Sequence, residues 1–146
     1  MRLDIYLNIS ELTRDGKYEV ILLTRNTTSN NAKELAALPH VKLYEGSYTN
    51  EENLHAVFKN VYGAFVNTNG FNLGEKAEIY WGCRIFEIAI EEKVQHYVWG
   101  SLDYGLKKGG WDSKYHCGHY DAKGRVAGSS MHFPPDIVFC PAKPTI

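Results

Sequence analysis

Short apolar runs of strand length alternate with amphipathic stretches of helix length along most of this chain, and that alternation constrains the fold more than any other feature. Tyr18 to Thr24 is aliphatic and β-branched and reads as a strand. Asn30 to Leu38 ("NNAKELAAL") opens on an asparagine, places Leu35 and Leu38 three apart, and reads as a short helix ending near Pro39. Val41 to Tyr44 is a second strand. In "TNEENLHAVFKNV", Thr49 or Asn50 is the N-cap, acids fill the first turn, and Leu54, Val57, Phe58 and Val61 share one face. "GAFVNT" is a third strand. Glu75 to Val94 predicts a long helix with Ile79, Phe86 and Ile90 on one stripe, joined by Cys83, Ile85 and Ala89; "HYVWGS" is a fourth strand.

Strands that are near-continuous apolar runs belong to a parallel sheet covered on both faces. Their alternation with helices makes the expected fold α/β, a doubly wound, mostly parallel, Rossmann-like sheet. A length of 146 residues suits one compact domain, so 1–146 is read as a single domain, without internal repeat or dividing linker. Past Ser101, "LDYGLKKGGWDSKYHCGHY" is Gly- and Lys-rich with little periodicity; it is expected to be a long functional or disordered loop and the most mobile internal segment. "DAKGRVA" starts a helix that "GSSMHFPP" stops quickly, and "DIVFC" offers a last strand.

A net charge of −1 gives no global field for nucleic acid or an anionic membrane. No apolar run approaches the ~20 residues that span a bilayer. "MRLDIYLNISEL" is a poor signal peptide, and Cys83, Cys117 and Cys140, odd in number and widely spaced, fit reduced thiols in a cytoplasmic protein. His116-Cys117-Gly118-His119 crowds three possible metal ligands together, but His132 and Cys140 complete no recognised spacing, so no metal is expected. Tyr97, Trp99, Tyr104, Trp111, Tyr115 and Tyr120 read as core and pocket lining rather than base-stacking residues, because no net positive charge accompanies them.

Arg25 stands at the tip of the Tyr18–Thr24 strand. Ligands of doubly wound folds sit outside the carboxyl ends of the strands, and at the end of the second strand of a dinucleotide fold an acid accepts the ribose 2′-OH while an arginine accommodates a 2′-phosphate. The guanidinium fork fits phosphate, and the hydroxyls of Thr27, Thr28 and Ser29 can add hydrogen bonds. An ordinary solvated arginine at a strand end is the competing reading.

From Tyr18 to about Val126, the stretches "KYEVILLTRNTTS", "VKLYEGSYTNEENLHAVFKNVYGAFVNTN", "EKVQHYVWGSLD" and "HYDAKGRV" together resemble the NmrA-like family of NAD(P)-binding proteins, atypical relatives of the short-chain dehydrogenases. The resemblance implies a 2′-phosphate pocket at Arg25, Asn26, Thr27, Thr28 and Ser29, an adenine lining at Ser47 and Tyr48, and a segment beside the nicotinamide ribose at Thr68, Asn69 and Gly70. It also implies a lysine near the nicotinamide end at Lys123. Ser47 and Tyr48 fall where the family usually has an acid and a polar residue. Ser101, Tyr120 and Lys123 are the catalytic candidates, although the Tyr-x-x-x-Lys spacing of short-chain dehydrogenases falls on His119, one residue out of register.

The family's first strand and glycine-rich phosphate turn have no counterpart before Tyr18. The alternating Leu3, Ile5, Leu7 and Ile9 permit a replacement strand; alternatively, Leu7 to Arg14 is the end of a first helix. The expected cofactor is NADP, with NAD weaker, and an affinity only in the high-micromolar range or worse. The expected function is either an NADP-dependent oxidoreductase of reduced or lost activity, or a dinucleotide redox sensor acting through a protein partner. The second reading admits a nuclear location; a homo-oligomer is compatible with both.

Overall fold

The structure, a computed structural model, describes residues 9–130 and 138–141. It is α/β with parallel strands throughout, in two compact units, Met1–Val57 and Phe58–Ile146.

In the first unit, residues 9–13 are the helical stretch α1, where the Thr13 hydroxyl donates to the Ile9 carbonyl at 3.0 Å. The reading of Leu7–Arg14 as helix is met over these residues; Leu3, Ile5 and Leu7 lie outside the described ones. β1 (Val20–Thr24) pairs in parallel with β2 (Val41–Glu45), Val20 opposite Val41 and Thr24 opposite Glu45. α2 (Asn30–Ala36) connects them. Its cap is Ser29 rather than Asn30: the hydroxyl accepts the Ala32 amide at 3.2 Å. The helix stops at Ala36, short of the expected Leu38, and His40 turns the chain into β2 at φ +58°. α3 (Glu51–Phe58) follows, capped by Asn50, whose Oδ1 accepts the Asn53 amide at 2.9 Å.

In the second unit, β4 (His96–Ser101) lies between β3 (Gly63–Val66) and β5 (Val138–Pro141), all parallel. A short α4 (Gly70–Leu73) precedes α5 (Glu75–Glu91). Two corrections apply to α5. Its buried face runs through Glu78, Gly82, Ile85, Phe86, Ile88 and Ala89, whereas Ile90, expected on the stripe, is 42% exposed. It also ends before Val94, because Lys93 takes the left-handed conformation (φ +62°) and the Val94 amide returns to the Ala89 carbonyl at 2.9 Å.

The segment after Ser101 is not a structureless loop. α6 (Gly105–Lys108) ends with Gly110 left-handed (φ +69°), its amide on the Lys107 carbonyl and that of Trp111 on Leu106, a Schellman closure. A 3₁₀ turn (Ser113–Tyr115) follows, and α7 (Gly118–Ser130) runs further than its glycines and serines predict. Packing overrides propensity there. Val126 is buried, and Gly82 lets α5 and α7 approach until a methyl at position 82 would meet Val126 at 2.6 Å and the Trp99 ring at 3.1 Å. Trp99, fully buried on β4, donates its indole N–H to the Lys123 carbonyl at 3.2 Å and fixes α7 on the sheet.

The described strands form two parallel sheets, β1-β2 in the first unit and β3-β4-β5, in that order, in the second.

Candidate functional site

At the carboxyl end of β1, Thr24-Arg25-Asn26 leads into a self-bonded polar turn. Asn26 Oδ1 accepts the Thr28 amide at 2.8 Å and the Thr28 hydroxyl at 2.7 Å, and the Ser29 hydroxyl donates to the Asn26 carbonyl at 3.1 Å. Thr27 donates to Glu45 Oε2 at 2.7 Å. These side chains thus shape the turn and cap α2. Arg25, exposed, makes no hydrogen bond or ion pair among the described residues.

At the carboxyl end of β2, Ser47 is similarly committed: its amide donates to Asn53 Oδ1 at 3.0 Å, and its hydroxyl accepts the Thr49 amide at 3.1 Å. Tyr48 beside it is half-buried.

The second unit gathers its polar residues at the carboxyl ends of β3 and β4. Lys123, from α7, is 6% exposed. Its ammonium reaches Asn67 Oδ1 at 2.9 Å, the Thr68 hydroxyl at 3.1 Å and Glu78 Oε1 at 3.2 Å, and lies 4.9 Å from the Trp99 ring centroid. Thr68 donates to Glu78 Oε1 at 2.7 Å. Gly70 is buried against this carboxylate; a side chain there would displace Glu78. Asn69 is exposed, and its carbonyl accepts the Asn72 and Leu73 amides that start α4.

Ser101 and Tyr120 are not drawn to Lys123. Ser101 is buried with its hydroxyl on the Leu102 carbonyl at 3.2 Å, and Tyr120 packs edge-on to His119, 4.7 Å between centroids. His119 also faces the exposed ring of Phe71 at 4.3 Å. No hydrogen bond links these three candidate catalytic side chains among the described residues.

Two acids central to this region escape sequence reading. Asp121 is buried and accepts the Leu106 amide with Oδ1 and the Cys117 amide with Oδ2, both at 3.0 Å, pinning α6 and the entry to α7. Glu78 lies on the buried face of α5. Its sequence signal is an acid at the head of the 78-82-85-86-89 spacing, the true inner face of the helix. Outward of Asp121, His116 Nε2 sits 3.0 Å from Glu75 and Arg125 Nε donates to the Tyr104 hydroxyl at 2.7 Å, a bond that holds the guanidinium's pKa above its ordinary value. Among the described residues no three His, Cys, Asp or Glu side chains converge as a metal site, and no helix is long and apolar enough to cross a membrane.

Parallel strands with polar side chains collected at their carboxyl ends define a Rossmann-like α/β protein. The chain matches the NmrA-like family over residues 8–129 and belongs to it. It is 28% identical, over 94 residues, to an NmrA-like family domain-containing protein of Dictyostelium discoideum, covering 64% of this chain and 31% of that protein. Among solved structures it resembles NmrA, a negative transcriptional regulator, in complex with NADP (TM-score 0.74, 21% identity, 91% of this chain and 40% of that one). It also resembles NmrA in complex with NAD (TM-score 0.66, 23% identity, 80% and 35%). Vestitone reductase from alfalfa shares the fold at TM-score 0.61 and 14% identity, over 90% of this chain and 50% of that one. At these identities the likeness is one of fold. The chain spans about a third of the length of its curated relative.

Proposed function

We propose that this chain is a nicotinamide-dinucleotide-binding protein that prefers NADP(H) and works by binding rather than turnover, reporting the state of the dinucleotide to a protein partner. The observation that carries the reading is Arg25, exposed at the carboxyl tip of β1 and uncommitted, beside a turn whose other polar side chains are spent on local hydrogen bonds. That is where a dinucleotide fold meets the adenosine ribose, and where a guanidinium matches a 2′-phosphate.

The binding role is favoured over hydride-transfer catalysis by the second unit. Proton transfer needs an acid or base within about 2.6–3.2 Å of the reacting group. Here Tyr120 packs on His119, Ser101 bonds its own neighbour, and Lys123 is held by buried partners. An NADP-dependent oxidoreductase is the second reading, supported by Lys123 lying beside the exposed Asn67 at the end of β3.

Calorimetric titration of the purified chain with NADPH and NADH tests the proposal. NADPH should bind more tightly. Hydrogen bonds to charged groups contribute about 1.5–3 kcal/mol, so Arg25→Ala should cut the preference about tenfold or more. Equal affinities in the unaltered chain remove the assignment; oxidation of NADPH in the presence of a small carbonyl compound would favour the second reading.

A further inference from the structure

The acceptors around the Lys123 ammonium differ sharply in exposure. Glu78 is fully enclosed and Thr68 is buried, whereas Asn67 is an exposed residue just beyond β3. Thr68 spends its hydroxyl hydrogen on Glu78 and therefore meets the ammonium only as an acceptor. The carboxylate is the fixed point of the group. It sits in the first turn of the 17-residue α5, where the helix dipole favours an anion. Its other oxygen, Oε2, is buried against Gly70 with no hydrogen-bond partner.

Such an arrangement is a poor way to hold a fold together. A buried carboxylate with an unpaired oxygen carries a desolvation cost, and apolar residues of similar volume often match or exceed the stability of a buried ion pair. What the cluster does supply is direction. Glu78 and Thr68 hold the ammonium from the interior, and Asn67 meets it on the exposed side at the carboxyl end of β3.

We propose that Glu78 is a positioning residue for ligand recognition: with Thr68 it aims the Lys123 ammonium at the exposed end of β3, where a ligand oxygen takes the place of Asn67. Because Glu78 already offsets the lysine's charge, the position suits a neutral hydroxyl or carbonyl oxygen rather than a phosphate. The carboxyl ends of the later strands of a doubly wound fold serve the second mononucleotide half, so the ligand oxygen belongs to the nicotinamide half of the dinucleotide. The inference rests on the dinucleotide-binding reading above.

The test titrates the full chain with NADPH and with 2′,5′-ADP, which carries the adenosine 2′-phosphate end alone. Glu78→Gln should weaken NADPH about tenfold and leave 2′,5′-ADP within about twofold. In a Lys123→Met background, Glu78→Gln should cost NADPH nothing further, since the carboxylate acts through the lysine. Asn67→Asp, an exposed change that leaves the interior intact, should also weaken NADPH selectively by giving the ammonium a competing anion. It decides the matter if Glu78→Gln fails to fold. Equal loss for both probes, or NADPH binding unchanged in Glu78→Gln and Asn67→Asp, overturns the proposal while the dinucleotide reading stands. An unaltered chain that binds neither probe overturns both.

Discussion

The phenol of Tyr97 is buried on β4, edge-on to Phe86 at 5.1 Å, and its hydroxyl has no hydrogen-bond partner among the described residues. Burial, helped by the neighbouring Cys83, pushes its pKa up. An unfolded tyrosine ionises near pH 10, so above that pH the native chain holds a proton the unfolded chain has lost, and stability falls as pH rises. Below pH 10 the contribution is constant. Tyr97→Phe removes both the orphan hydroxyl and the titration. It should stabilise the protein by about 1 kcal/mol at neutral pH and flatten the decline above pH 10, read by urea denaturation at pH 7 and pH 10.5. A loss of stability in the variant would mean that the hydroxyl has a partner. At this scale the sequence speaks unevenly. The place of Arg25 is legible because a strand tip announces itself, whereas Glu78 and Asp121 are invisible until the helices are phased, since an acid on a buried face reads locally like any surface acid.

Element positions were legible wherever the apolar period was strong: β1, β2, β3, β4 and the helices α2, α3 and α5 between them fall where alternation puts them, whereas the short α4 carries no such period. The misses have specific causes. Lys93 ends α5 by turning left-handed, a conformation lysine does not advertise. α6 and the run of α7 through Gly128 and Ser129 depend on tertiary contacts, above all Asp121 on the Leu106 and Cys117 amides and Val126 in the core. Gly82 gives the sharpest test of that packing. In an exposed helix Gly→Ala gains about 1 kcal/mol, but here the added methyl meets Val126 at 2.6 Å. Gly82→Ala should instead cost about 1–3 kcal/mol through overpacking, and Val126→Ala in the same chain should recover part of that loss. A stabilising Gly82→Ala would show that α5 and α7 can separate at little cost.

On the scale of the whole molecule, the parallel α/β pairing expected from the alternation is present in two small sheets, β1-β2 and β3-β4-β5. Among the described residues β1 pairs only with β2, and β3 only with β4. Both carry the apolar composition of interior strands, "VILLT" and "GAFV", with none of the lysines or prolines that guard natural edges. Ile21 and Phe65 are 42% and 60% exposed on these strands. Strand edges unpaired among the described residues and exposed apolar side chains together favour strand pairing between molecules, so the purified chain should associate as its concentration rises. Charge placed on the strands should oppose this. Ile21→Glu suits β1 because residue 21 stands opposite Lys42 in the register, so the new acid supports the existing pair while charging the edge strand. Phe65→Lys does the same for β3, opposite the neutral Val98. Sedimentation velocity across a tenfold concentration range should show association in the unaltered chain and a marked shift towards monomer in the double variant. A monodisperse monomer at every concentration would mean that both edges are already covered within the single chain.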